Sequence, residues 1–374
     1  GPTAFSRQGD GRCALGPAIR EYIMSEAMYF LAVPTSRCLA VVTTGEPVSR
    51  ETLKPGAVVT RVASSHIRVG TFQYFAIRND IASLTALLDY AINRHYPEIN
   101  IAPENKAVQF LEVVIAKQIA LVVEWMRVGF IHGVMNTDNV AISGETIDFG
   151  PCAMIGIYDP HTVYSSIDTK GRYAFGNQPN ITLWNMTRLA ECLLPLISND
   201  EKAAIAIVEP LLMQFSQQFE HAYFKMLANK LGLTEIAPSD QIFIAELLEI
   251  MKNKRLDYTQ LFTDLTQSLD DDNLAHKLKD KLGDWYDRWK VYSGDSQENI
   301  NIAKALMQTN NPIVIPRNHH VEKVLKACEE TGNMQAADDF LTVLRSPYNE
   351  IANTIHYQDV PMDDDRNYCT FCGT

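Results

Sequence analysis

A polar segment set between apolar ones constrains this chain most. Residues 102–130 read as one long apolar-rich helix, which delivers the chain to Ile131-His132-Gly133-Val134-Met135-Asn136-Thr137-Asp138-Asn139. Asp148-Phe149-Gly150 follows. The intervening residues 140–147, Val-Ala-Ile-Ser-Gly-Glu-Thr-Ile, read as strand, glycine turn, strand. The spacing therefore predicts a hairpin across 131–150 that holds Asn139 and Asp148 at neighbouring ends. One amide and one carboxylate are hard oxygen donors of the kind Mg²⁺ takes alongside phosphates and water. Asp138, beside one of them, would face an acceptor.

The same residues match the protein-kinase pattern H-x-D-x-x-x-x-N … D-F-G at His132, at Asn139 and at the whole triplet. The position of the catalytic aspartate holds Val134, which cannot accept a proton. A carboxylate reappears four positions on, as Asp138. The stretch resembles a kinase-type nucleotide and metal site with its base moved. On the motif alone a second reading stands beside it: a packed turn histidine at 132 and a strand-end cap at 148.

Composition excludes several classes. The 374 residues are 46% hydrophobic and 21% charged, an ordinary globular balance with ample material for a core in two or three lobes. A net charge of −12 gives no reason to expect nucleic acid as a partner, since phosphate affinity needs clustered Lys and Arg. No apolar run reaches the ~18 residues of a membrane span, and no signal peptide is visible. Cys13, Cys38, Cys152, Cys192, Cys328, Cys369 and Cys372 are too scattered for a disulfide scaffold. Only Cys369-Thr-Phe-Cys372 is closely spaced, and no second such pair completes a zinc site. Free thiols in an exposed tail and a redox-active pair both fit it.

Along the chain, Pro17 opens a helix through Leu31 that carries Glu21. Strands follow at 38–43 and 57–63, with a turn at Gly45-Glu-Pro47. Helices are expected at 80–96 and 102–130. A loop of about thirty residues follows Gly150, long enough to suggest function. Helices then follow at 182–197, 200–231, 239–252, 258–269 and 274–292, with two more near 321–330 and 334–344. The expected division is a small lobe with antiparallel strands over 1–78 and a helical lobe over 79–310. The helical lobe holds the 131–150 hairpin and a 149–180 loop. Residues 311–374 form C-terminal helices with a cysteine-containing tail.

Several stretches together are specific. They are Phe5-Ser-Arg-Gln-Gly-Asp-Gly-Arg12, Ile19-Arg-Glu-Tyr-Ile-Met-Ser-Glu-Ala-Met28, Val33-Pro-Thr-Ser-Arg37, Arg61-Val-Ala-Ser-Ser-His-Ile-Arg68, His132 to Asn139, Ile147-Asp-Phe-Gly-Pro151 and Gly171-Arg-Tyr-Ala-Phe-Gly-Asn-Gln-Pro179. They resemble the selenoprotein O family, the bacterial YdiU-type proteins, over nearly the whole chain. The resemblance implies an α+β, protein-kinase-like (pseudokinase) fold that binds ATP reversed in its cleft. It implies AMP transfer from ATP to Ser, Thr or Tyr hydroxyls of proteins, with pyrophosphate released. Asp138 would be the proton acceptor, and Asn139 and Asp148 would hold Mg²⁺ or Mn²⁺. Arg61 and Arg68 would bind the inward-pointing phosphates, and Asp10, Gly11 and Asp148 would also touch nucleotide. Two guanidiniums, one on a strand and one past a turn, suit a polyphosphate clamp; by residue type alone, surface salt bridges suit them too. ATP and hydroxyl-bearing proteins are the expected partners, with neither nucleic acid nor membrane. The expected location is the cytoplasm in a bacterium and the mitochondrion in a eukaryote.

Two departures from the family pattern bear on these expectations. The glycine-rich loop and the Lys that pairs with the helix glutamate should precede that helix, yet the first Lys is Lys54. The chain thus reads as truncated at its N-terminus, with Glu21 lacking its usual partner and with weak or no activity expected. Family members can also link the near-terminal Cys, here Cys372, to a Cys in the loop after Asp-Phe-Gly; the matching Val163-Tyr164-Ser165 has none. A Cys369–Cys372 bond or no bond remain open. Two rival readings are a conventional protein kinase, against which Val134 argues, and a non-catalytic nucleotide-binding module.

Overall fold

The computed structural model describes all residues except 4, 5, 7, 8, 100–104, 236, 293, 295, 362–364, 366, 367 and 371–374. It is a mixed α+β fold, mostly helical, with small antiparallel sheets. After a short strand β1 (Cys13–Ala14), helix α1 (Leu15–Phe30) begins with Pro17 in its first turn, where backbone N–H groups lack helical partners anyway. Ala18, Ile19, Ile23, Met24, Ala27 and Met28 are all buried. The burial wraps round the helix because it lies between the β-sheet on one side and two C-terminal helices on the other.

The sheet is β1, β3 (Leu53–Val62) and β2 (Arg37–Ser49), in the order β1-β3-β2. The turn expected at Gly45-Glu-Pro47 is instead an irregularity within β2. The register shifts between Thr43 and Pro47, Gly45 takes φ 75°, and the reversal comes at 50–52, where Arg50 N donates to Thr52 O at 3.1 Å. A proline that cannot donate to a ladder is tolerated at such a bulge.

Helix α2 (Val69–Ala76) was not anticipated by the sequence reading; α3 (Ile81–His95) and α4 (Lys106–Val128) were. Gly129, at φ 79°, ends α4 in the left-handed conformation that glycine adopts without strain. Strand β4 (Phe130–Ile131) then pairs antiparallel with β5 (Ala153–Met154), closing the polar segment between them. That segment is not the expected hairpin: within 140–147 Gly144 N donates to Ala141 O at 3.1 Å, a turn, and the two arms form no ladder with each other. Val140 O accepts from Val69 N at 3.0 Å and Ile142 N donates to Ile67 O at 3.1 Å. On the other arm, Ser36 N donates to Thr146 O and Thr146 N to Pro34 O, both at 2.9 Å. Each arm thus takes its backbone partners from a segment distant in the chain.

Helices α5 (Gln178–Ile197), α6 (Glu201–Lys230), α7 (Pro238–Asn253) and α8 (Tyr258–Gln267) follow the predicted spacing closely. The single helix expected over 274–292 is two, α9 (Asp272–Leu282) and α10 (Asp284–Tyr292), because Gly283 takes φ 64° and breaks the ladder. An unanticipated α11 (Gln297–Asn310) precedes α12 (Asn318–Thr331) and α13 (Gln335–Leu344). Among the described residues no helix is long and apolar enough to cross a membrane.

Candidate functional site

His132 is fully buried and structural. Its Nδ1 accepts from Val134 N at 3.4 Å, which leaves the proton on Nε2, donated to Ile147 O at 3.0 Å. Burial pushes its pKa down, so the ring is neutral. It joins the start of the polar segment to the residue before Asp148. Three buried amides brace the same loop, and sequence reading missed them all. Gln178 accepts from His132 N and donates to Phe130 O, each at 3.0 Å. Asn185 donates to Met135 O at 2.9 Å and Gln118 to Ala141 O at 2.7 Å. Gln178 and Asn185 lie two helical turns apart on the buried face of α5, and a polar residue on an apolar stripe was the available signal.

Val134, in the slot of the kinase aspartate, is buried. Asp138 is exposed, in a 3₁₀ turn (Thr137–Asn139) started by Asn136, whose Oδ1 accepts from Asp138 N at 3.0 Å. Its carboxylate rests against Gly70 at the start of α2, so closely that a Cβ there would run into Oδ1. Asn139 commits its Nδ2 to Val134 O at 3.0 Å, which leaves the amide oxygen as its donor atom for a cation. Asp148 is half-buried and holds φ 71°, a left-handed conformation uncommon for a non-glycine residue and typical of functional sites.

Glu21 is paired with an arginine. Its Oε1 accepts from Arg61 Nε at 2.8 Å and lies 2.5 Å from Arg61 Nη2, while Oε2 accepts from Phe149 N at 2.8 Å. The carboxylate, itself buried, ties β3 to the residue after Asp148 through α1. Arg61 reaches Glu21 because the strand carrying it runs beside α1. Arg68 differs. Its Nε is buried and has no hydrogen-bond partner among the described residues. Burial and the nearby Arg61 lower its pKa, opposed by Asp148 and Asp138. A desolvated guanidinium beside two carboxylates, with an unserved donor, suits an anion such as a polyphosphate. That orphaned donor and the hard oxygen pair of Asn139 and Asp148 together fit a Mg²⁺- or Mn²⁺-bound nucleotide.

Asp10 and Gly11 are held by a separate set of contacts. Asp10 accepts from Arg50 Nη1 at 2.9 Å and Nη2 at 3.2 Å, and this pairing lowers its pKa. Gly11 O accepts from the amine of Gly1 at 3.1 Å. Cys369 is exposed and bonded to no cysteine among the described residues, and Cys372 lies outside them. The tail does reach the loop after Asp148: Thr370 N donates to Tyr164 O at 2.8 Å, and Ser166 N to Thr370 O at 2.9 Å. Thr370 Oγ1 donates to Pro151 O at 2.7 Å. Cys152 is buried, its thiol pushed up to about 12 chiefly by burial, which makes it unreactive.

Comparison with known proteins defines the class. Residues 1–345 match the family model described as protein adenylyltransferase SelO; the chain belongs to this family and is a nucleotidyltransferase. It is 52% identical to the protein nucleotidyltransferase YdiU of Teredinibacter turnerae, over 100% of this chain and 77% of the relative. Proteins of the same name from Pseudoalteromonas translucida and Bacillus mycoides are 50% and 49% identical, again over 100% of this chain and over 78% and 76% of their own lengths.

Proposed function

We propose that the chain transfers AMP from ATP to Ser, Thr or Tyr hydroxyls of proteins, on a kinase-like scaffold whose small lobe holds α1 and the β1-β3-β2 sheet. The observation that carries this reading is the exchange of burial between two positions: Val134 is inside and Asp138 is at the surface. The carboxylate able to meet a protein hydroxyl is therefore the displaced one. In the proposed step the acceptor oxygen attacks the α-phosphorus, the bond to the pyrophosphate oxygen breaks, and the hydroxyl proton passes to Asp138. Asn139 and Asp148 would hold the divalent cation, which when bound supplies charge neutralisation to the phosphates. Arg68 offers the unserved donor for pyrophosphate charge, and Arg61 joins it by turning from Glu21.

Transfer is read with ATP labelled at the α- or γ-phosphate. Label from the α-position alone is expected on the protein acceptor, and γ-label would overturn the reading in favour of a kinase. Asp138→Asn should lower the rate by about 10²-fold or more, the usual contribution of a general base, while Mg-ATP still raises the Tm. The engagement of Arg61 by Glu21 favours a second reading, nucleotide binding without turnover; a Tm shift with no α-label transfer would identify it.

A further inference from the structure

We propose that His319, His320 and Asp359 form a second cation site, for a zinc-type first-row divalent metal, distinct from Asn139 and Asp148. The two histidines stand in the first turn of α12, and Asp359 follows a 3₁₀ turn (Thr354–Tyr357). One ligating atom from each residue lies within 4.8 Å of the other two. A single carboxylate is met on both oxygens: His319 Nε2 is 3.2 Å from Oδ2, and His320 Nε2 is 2.5 Å from Oδ1. Ligands at about 2.0–2.1 Å from a tetrahedral metal stand about 3.3 Å apart, so a cation needs only small side-chain adjustments here. Two nitrogens and one carboxylate leave a fourth position for water, and the Asp359 side chain, 59% exposed, leaves the group open to solvent.

The two ring centroids are 4.1 Å apart. His320 is buried against Tyr357 and Phe340, at 5.1 and 6.1 Å. Among the described residues, Nδ1 of His319 is buried with no hydrogen-bond partner. Lys323 and the positive end of α12 oppose a cation, which makes Asp359 the decisive ligand. The neighbouring Asn318 accepts from Met154 N and donates to Met154 O, both at 2.9 Å, and donates to Asp365 at 3.0 Å.

The test titrates Co²⁺ into the chelator-stripped full chain, followed by visible d–d absorption, with Zn²⁺ competition and Tm as second readouts. One equivalent with a nitrogen–oxygen ligand spectrum is expected, displaced by Zn²⁺, which also raises the Tm. Asp359→Asn and His319→Gln should each weaken it at least about tenfold, while Asp148→Asn leaves it intact. Absence of stoichiometric binding, or binding lost in Asp148→Asn but kept in the other two, overturns the proposal. Circular dichroism confirms folding of each variant. His319, a partly exposed ring, supplies the answer should Asp359→Asn fail to fold. AMP transfer is not read, so failure of this site and failure of the proposed activity are separate results.

Discussion

His132 shows how one side chain can be conspicuous in sequence and mute in chemistry. Its two ring nitrogens are both spent on backbone, at Val134 N and Ile147 O, inside the core. Its pKa in the folded chain lies below the value near 6.5 of the unfolded one. As pH falls below about 6.5, the unfolded chain takes up the proton first, so stability falls with acid and is fully present above that pH. Glutamine does not titrate. The stability advantage of the wild type over His132→Gln, measured by urea unfolding, should therefore shrink between neutral and mildly acidic pH. Parallel curves would show that the buried ring is not the titrating group. Asp138 is the opposite case, an exposed side chain whose position carries the chemistry proposed for it.

Elements hold that position. The start of α2 passes beneath Asp138, and only glycine at position 70 leaves room for the carboxylate. Gly70 is helical with an ordinary φ, so alanine there suits the helix by up to about 1 kcal/mol while displacing Asp138. Gly70→Ala should keep or raise the Tm and lower α-label transfer; unchanged transfer would remove Gly70 from the site. Helix α5 acts from the other side. Gln178→Leu leaves Phe130 O and His132 N unserved in the core and should cost about 2–6 kcal/mol in urea unfolding, at about 1–3 kcal/mol for each group. A smaller loss would mean that water enters to serve them.

The whole molecule is tied across its length by buried charge. Arg317, before α12, donates to Asp257, before α8, from Nη1 at 2.9 Å and Nη2 at 3.1 Å, with both side chains at most 6% exposed. Arg317→Met strands a buried carboxylate and should cost about 3–5 kcal/mol of unfolding free energy. An unchanged midpoint in urea would show that the pair is solvated. Arg20 works in the same way from α1, donating to Cys152 O at 2.5 Å, to Glu322 at 2.9 Å and to Tyr368 at 3.2 Å. It couples the loop after Asp148 to α12 and the tail.

The sequence by itself determined the long helices, whose apolar spacing survives in any environment, and the residue types of the candidate site, since hard oxygens and a displaced carboxylate are legible without coordinates. Only the tertiary structure decided how backbone groups at 140–147 are satisfied, because hydrogen bonds between Val140 and Val69 or Thr146 and Pro34 join segments far apart in the chain. It likewise decided that Glu21 takes Arg61: charge pairs form between whichever strands and helices packing brings together, and no local pattern encodes that choice. The same holds for Gln178 beneath His132 and for Gly70 beneath Asp138, where one residue's role is set by the surface it happens to face.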